Sequence, residues 1–209
     1  MSEFISMRNE LLAQQVIKNL KARNMNGYFA KDREEALKIA LSLIPEGTTV
    51  TMGGGMSVRE IGLFDAVKHG SYHFIDRDDA PDRREAMLQA YTADVYLAGV
   101  NAMTEDGVMV NIDGNANRIS ALAFGPKKVI VICGMNKITR DLDTAMKRAR
   151  NVAAPVNAQR FDVDTPCRKT GRCMDCKNPD SICCQMLITR FCNDPNRFHI
   201  IMVDDTLGF

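Results

Sequence analysis

The chain has 209 residues, enough for an apolar core without disulfide staples, since a chain of that size buries roughly 70% of its unfolded surface. Lys and Arg number 27 against 26 Asp and Glu, a net charge of +1, and aromatics are 6% with no Trp. That balance argues against a nucleic-acid binder working by phosphate neutralisation or base stacking, while 45% hydrophobic and 25% charged residues is a globular profile.

In chain order, residues 3–23 read as an amphipathic helix, with Phe4, Met7, Leu11, Leu12, Ile17 and Leu20 near one face. Tyr28 to Ala30 reads as a short strand. Asp32 and Glu35 have capping-box spacing for a helix to about Leu43. Thr48 to Met52 is β-rich, followed by three glycines and a helix from Ser57 to about Lys68. Tyr72 to Ile75 reads as a strand, and Pro81 opens a helix to about Tyr91. Further strands are expected at Asp94 to Ala98, Val108 to Ile112 and Lys128 to Cys133, and helices over 140–151 and 153–160. Strands alternating with helices predict an α/β fold with a mostly parallel, helix-covered sheet. Residues 162–184 read as a Cys-rich loop, and Cys184 to Phe191 with Phe198 to Val203 as a C-terminal β-hairpin. One domain over 1–209 accommodates all of this.

No run approaches the ~20 apolar residues that span a bilayer, and MSEFISMRNELLAQQ lacks the pattern of a secretory signal. A cytoplasmic protein with no membrane and no nucleic-acid partner is expected. There, cysteines are thiols, metal ligands or redox groups.

Three strands run into glycine and small polar residues: Met52 into Gly53-Gly54-Gly55-Met56-Ser57, Ala98 into Gly99-Val100-Asn101, and Cys133 into Gly134-Met135-Asn136-Lys137. Ligands of open α/β sheets bind outside the carboxyl ends of strands. Gly53, Gly54, Gly55, Ser57, Asn101, Thr104, Glu105, Asn136 and Lys137 are therefore expected around one cleft, with Arg118 as a bidentate clamp for an anion. Ser57 and Glu60 have capping-box spacing, and free N–H groups at that helix start would favour a phosphate or carboxylate. The glycine loop is neither a P-loop nor a full dinucleotide fingerprint, because Val58 stands where Gly or Ala is needed. Thr104-Glu105-Asp106-Gly107 reads either as a hairpin turn or as the carrier of a carboxylate nucleophile or base, Glu105.

Six of the seven cysteines follow residue 166. Cys173 and Cys176 form a C-x-x-C, flanked by Cys167, Cys183 and Cys184. Four thiolates from one loop can hold an iron–sulfur cluster or zinc, pair as a redox disulfide, or remain free. If metal is present, Cys167, Cys173, Cys176 and Cys183 are the expected ligands. Cys183 and Cys184 point oppositely once a strand begins, and Cys183 lies on the loop side. Cys133 reads as core packing.

The segments from Gly53 to Gly62, Gly99 to Gly107, Asp113 to Arg118, Phe124 to Val129, Gly134 to Ile138 and Val203 to Gly208 together resemble the LUD (lactate-utilization) domain family. The resemblance implies a fold related to ribose-5-phosphate isomerase, glucosamine-6-phosphate deaminase and CoA transferases. It implies a subunit of a system oxidising lactate to pyruvate, binding a small carboxylate or phosphorylated ligand beside iron–sulfur protein subunits. Thr104-Glu105-Asp106-Gly107 is similar to the Ser-Glu-Asn-Gly segment carrying the catalytic Glu of CoA transferases, with Thr for Ser and Asp for Asn. Acyl transfer or sugar-phosphate isomerisation through Glu105 is the enzymatic alternative. A metal- or redox-sensing module built on the Cys loop is the third.

Overall fold

The computed structural model describes residues 2–209. Helix α1 (Glu3–Ala22) buries Asn9, Ala13, Val16 and Leu20, and leaves Phe4, Met7 and Leu11 in solvent. The buried stripe is thus rotated from the expected one. Its small residues pack with Met25, Phe198 and Ile200 in one core cluster. Strand β1 (Asn26–Ala30) precedes α2 (Arg33–Ser42), where Asp32 accepts the N–H of Glu35 at 2.8 Å. Strand β2 (Thr49–Met52) leads through the glycine loop into α3 (Met56–Glu60) and α4 (Leu63–His69). One helix was expected here. Gly62, at φ 79°, takes a left-handed conformation that ends the first and starts the second.

Strand β3 (His73–Ile75) is followed by α5 (Arg83–Gln89), which starts after Asp82 rather than at Pro81. The Asp82 carboxylate accepts from the N–H groups of Arg84 and Glu85 at 2.8 and 3.0 Å. Asp82→Ala should lower stability by about 1 kcal/mol, read as a shifted urea midpoint with unchanged slope; no shift would show that the cap contributes nothing.

Strands β4 (Val95–Gly99), β5 (Ala102–Thr104) and β6 (Met109–Asp113) precede α6 (Asn117–Phe124) and β7 (Lys128–Gly134). A 3-10 turn at Met135–Lys137 and the short β8 (Ile138–Thr139) lead to α7 (Leu142–Arg148). A π-helical turn, Ala149–Ala153, joins α7 to α8 (Ala154–Ala158). Pro155 has no N–H and its ring would strike the carbonyl four residues back, so the helix widens just before it. Helix α9 (Pro166–Thr170) interrupts the Cys-rich loop, and β9 (Gln185–Thr189) and β10 (Phe198–Val203) complete the order.

Among the described residues, six strands form a parallel sheet in the order β1-β10-β7-β4-β2-β3. A second, mixed sheet has the order β8-β5-β6-β9. The α/β class with a largely parallel sheet holds. The terminal hairpin does not: β9 pairs antiparallel with β6, and β10 lies between β1 and β7. Every residue of Phe198–Val203 is buried, as suits a central parallel strand covered on both faces, whereas β9 is largely exposed. The predicted turn at Thr104 to Gly107 does join an antiparallel pair, β5 and β6. Alternate residues of β4, β7 and β10 feed the two faces. Tyr96, Ala98, Val129, Val131, Ile200 and Met202 join one core cluster, and Val95, Leu97, Ile130, Ile132, Ile201 and Val203 the other. No helix among the described residues is long and apolar enough to cross a membrane.

Candidate functional site

Strands β7, β4 and β2 are neighbours and parallel, so their carboxyl ends share one edge. A cavity of about 580 Å³ opens there. The glycine loop lies flat against the end of β4: a Cβ on Gly53 would meet Tyr96 Oη at 2.8 Å and Arg118 Cδ at 2.9 Å, and one on Gly55 would meet Gly99 N at 3.2 Å. A side chain here would lift the loop and fill the cleft.

Gly54, Gly55, Ser57, Asn101, Arg118 and Lys137 line the cavity as expected from the sequence. Gly53, Thr104, Glu105 and Asn136 do not. Gly53 backs the wall. Thr104 is fully buried and bonds Asp106 within the β5–β6 turn. The Glu105 N–H is tied to Thr139 O at 2.7 Å, and its carbonyl accepts from Asn19 at 2.9 Å, which holds it at that turn. Asn136 turns its Oδ1 to the N–H of Leu207 at 3.2 Å.

Ser57 and Lys137 form the centre of the site. Both are almost fully buried, at 1% and 3% exposure. Lys137 Nζ donates to Ser57 Oγ at 3.0 Å. The expected capping box is absent, because Ser57 faces Lys137 and Glu60 accepts from the N–H of Gly208 at 2.7 Å. Helix α3 has only five residues, so its N-terminus supplies little field. Burial pushes the Lys137 ammonium down to about 8, with Arg148 and Arg118 acting in the same direction against Cys133 and Glu60. Among the described residues, no carboxylate forms an ion pair with it.

Arg118 lines the cavity as a brace rather than a clamp. Its Nη1 donates to Asn111 Oδ1 at 2.9 Å and Gly99 O at 3.4 Å. Its Nη2 donates to Ile112 O at 2.6 Å and Asn101 Oδ1 at 3.1 Å. Those bonds occupy the four Nη hydrogens. Asn101, Asn111 and Asp113 hold this guanidinium in place.

Other cations reach the cavity from elements the sequence did not connect with it: Arg59 on α3, Arg77 after β3, Arg83 on α5 and Arg160 after α8. Arg59, Arg77 and Arg83 share Asp78 at 3.7, 3.6 and 3.2 Å. Arg59 also stacks on Phe64, 3.7 Å from the ring centroid. Burial, then Arg59 and Arg77, depress the Arg160 guanidinium below its ordinary range. One signal was available: Arg77-Asp78 follows a parallel strand at the same edge. Arg160 carries no comparable signal. Among the described residues, six basic side chains and three acidic ones line the cavity, an environment that attracts anions.

A second cavity, about 60 Å³, is walled by Cys167, Cys173, Cys176 and Cys183 together with Arg150, Thr165 and Ile182. Cys184 lies outside that wall and bonds Ser181 O through its sulfur at 3.2 Å. All seven cysteines are free thiols, and Cys133 is fully buried in the core. Among the described residues, no three His, Cys, Asp or Glu side chains close on a point that would hold one metal ion.

Fold and cavity define a class: a parallel-sheet α/β protein with a cation-rich cleft at the carboxyl edge of its strands. The LUD domain model matches residues 13–203, and the chain belongs to the LUD domain family. Comparison with curated proteins finds no match. Among solved structures, a DUF162 family protein from Deinococcus radiodurans aligns over 93% of this chain and 98% of its own, with a TM-score of 0.56 at 14% identity. The eIF2B delta of Chaetomium thermophilum aligns over 55% and 52%, with a TM-score of 0.37 at 19% identity. The tetrameric eIF2B-beta2-delta2 complex from C. thermophilum aligns over 79% and 54%, with a TM-score of 0.42 at 17% identity.

Proposed function

We propose that this chain binds a small organic anion, a carboxylate or a phosphorylated compound, in the cavity at the sheet edge. In this reading it is a cytoplasmic subunit of a lactate-to-pyruvate oxidising system, working beside iron–sulfur protein subunits. The observation that carries the binding reading is Lys137, a buried ammonium with no ion-pair partner among the described residues, inside a cation-rich cavity. A bound anion supplies the missing countercharge. Family membership supports the lactate setting. The relation to ribose-5-phosphate isomerase and CoA transferases that the family resemblance implies supports a phosphorylated ligand equally.

Titration calorimetry with lactate, pyruvate, phosphate, a sugar phosphate and acetyl-CoA tests the proposal. At least one should bind saturably, and more weakly as salt rises. Failure of all five at millimolar concentration would end the anion-site reading.

One observation favours an enzymatic second reading. Ser57 Oγ sits 3.0 Å from Lys137 Nζ, and an amine near pKa 8 is partly neutral at mildly alkaline pH. Ser57 could then attack an acyl-CoA carbonyl, its proton passing to Lys137 and on to the departing thiol. Intact mass after acyl-CoA treatment, with peptide mapping to locate any adduct, separates the cases. An adduct on Ser57 supports this pair, one on Glu105 supports the carboxylate route, and none leaves a binding subunit.

A further inference from the structure

The Cys-rich segment is the part of the molecule that anion binding does not use. Its four cysteines come from separate stretches: Cys167 from α9, Cys173 and Cys176 from the loop after it, and Cys183 from just before β9. The fold brings all four to the wall of one small cavity. Polar groups lie against two of the sulfurs. Thr165 Oγ1 lies 3.4 Å from Cys167 Sγ, and Arg150 Nη2 donates toward Cys173 Sγ at 4.0 Å while pairing with Asp175. A cationic donor of this kind stabilises a thiolate ligand and orients it.

A single zinc ion needs four sulfurs at ~2.3 Å from one point, and among the described residues the cysteine side chains do not close on such a point. They instead share the wall of a cavity of about 60 Å³, several times the ~10–15 Å³ that holds one water, which has room for a group of several atoms. We infer that Cys167, Cys173, Cys176 and Cys183 are the ligands of a polynuclear iron–sulfur cluster seated in this cavity. Binding releases the four thiol protons, and the thiolates bond iron that is bridged by inorganic sulfide. Ile182 belongs to the walls of both cavities, so the cluster lies one side chain from the anion site.

The test uses the full chain, purified without oxygen and reconstituted with ferrous iron and sulfide. The expected result is a brown protein with about two to four irons per chain and equal acid-labile sulfide, and an electron paramagnetic resonance signal in the oxidised or dithionite-reduced state. Cys173→Ala and Cys176→Ala, both in the partly exposed loop, should lose most of the iron, and Cys184→Ala should keep it. Zinc bound one per chain without sulfide would overturn the inference. So would a metal-free thiol protein, a disulfide formed in its place, or iron retained in both loop variants. Calorimetry with the best-binding anion runs on the same samples, so failure of the cluster is distinguishable from failure of the anion site.

Discussion

Arg118→Met should destabilise the protein by about 3–5 kcal/mol, the range for stripping one partner from a buried charged network. The side chain is 14% exposed and ties together Gly99, Asn101, Asn111 and Ile112. Asn101 Oδ1 also accepts the N–H of Ile112 at 2.9 Å, so it keeps one bond. The Ile112 carbonyl and the Asn111 amide oxygen lose the donor that Arg118 supplies to each, and a buried acceptor left unpaired costs about 1–3 kcal/mol. Arg118→Lys should recover only part of the loss, because an ammonium cannot reproduce a planar fork of donors. Urea unfolding of both variants checks this. A loss under about 1 kcal/mol for Arg118→Met would remove the brace and reopen its role as a ligand clamp.

Lys137→Met should act in the opposite direction on stability and weaken anion binding. The folded state holds this amine near 8, against an ordinary 10.5, so it binds fewer protons than the unfolded chain between those values. Stability therefore rises with pH across that window, and the penalty is complete below about 8. It amounts to at most about 3 kcal/mol, offset by about 1 kcal/mol for the bond to Ser57. The variant should gain about 1–2 kcal/mol at pH 7, by the same bookkeeping, and the gain should vanish near pH 10.5. Anion affinity should fall by tenfold or more as the buried countercharge disappears. Unfolding midpoints at pH 7 and pH 10 read the first effect and calorimetry the second. A variant less stable than the parent at pH 7 would show that the ammonium is not strained by burial.

The shared edge was legible because Thr49–Met52, Val95–Gly99 and Lys128–Gly134 are apolar runs, each followed by small residues, and parallel pairing then fixes where those residues meet. Ser57 and Lys137 follow from that rule alone. Pairing partners were not legible. Two consecutive strands near the C-terminus suggest a hairpin, and only the burial of both faces of β10 sends it to the middle of the large sheet. Helix α6 is hard to read in the sequence because its cap is remote: Asp113 reaches forward to accept the N–H groups of Arg118 and Ile119 at 2.8 and 3.1 Å. An Asx-rich stretch that looks like loop chemistry is therefore a cap and a brace. The buried face of α1 is not legible in the sequence because its largest apolar residues do not mark the contact. The sheet accepts the slimmer stripe of Ala13 and Val16. Cysteine spacing pointed to four residues that line one small cavity, and the open space of that cavity was visible only in three dimensions.

The place of β10 between β1 and β7 has a consequence for the order of synthesis. Asn26 pairs opposite His199, so β1 has no partner in the large sheet until about 170 further residues have been made. A ribosome-bound chain can assemble β7, β4, β2 and β3 first, with the apolar edge of β7 left bare. Closure of so long a loop is slow. While it is pending, β1 has no strand partner in the large sheet, and the bare edge of β7 is open to pairing with another strand.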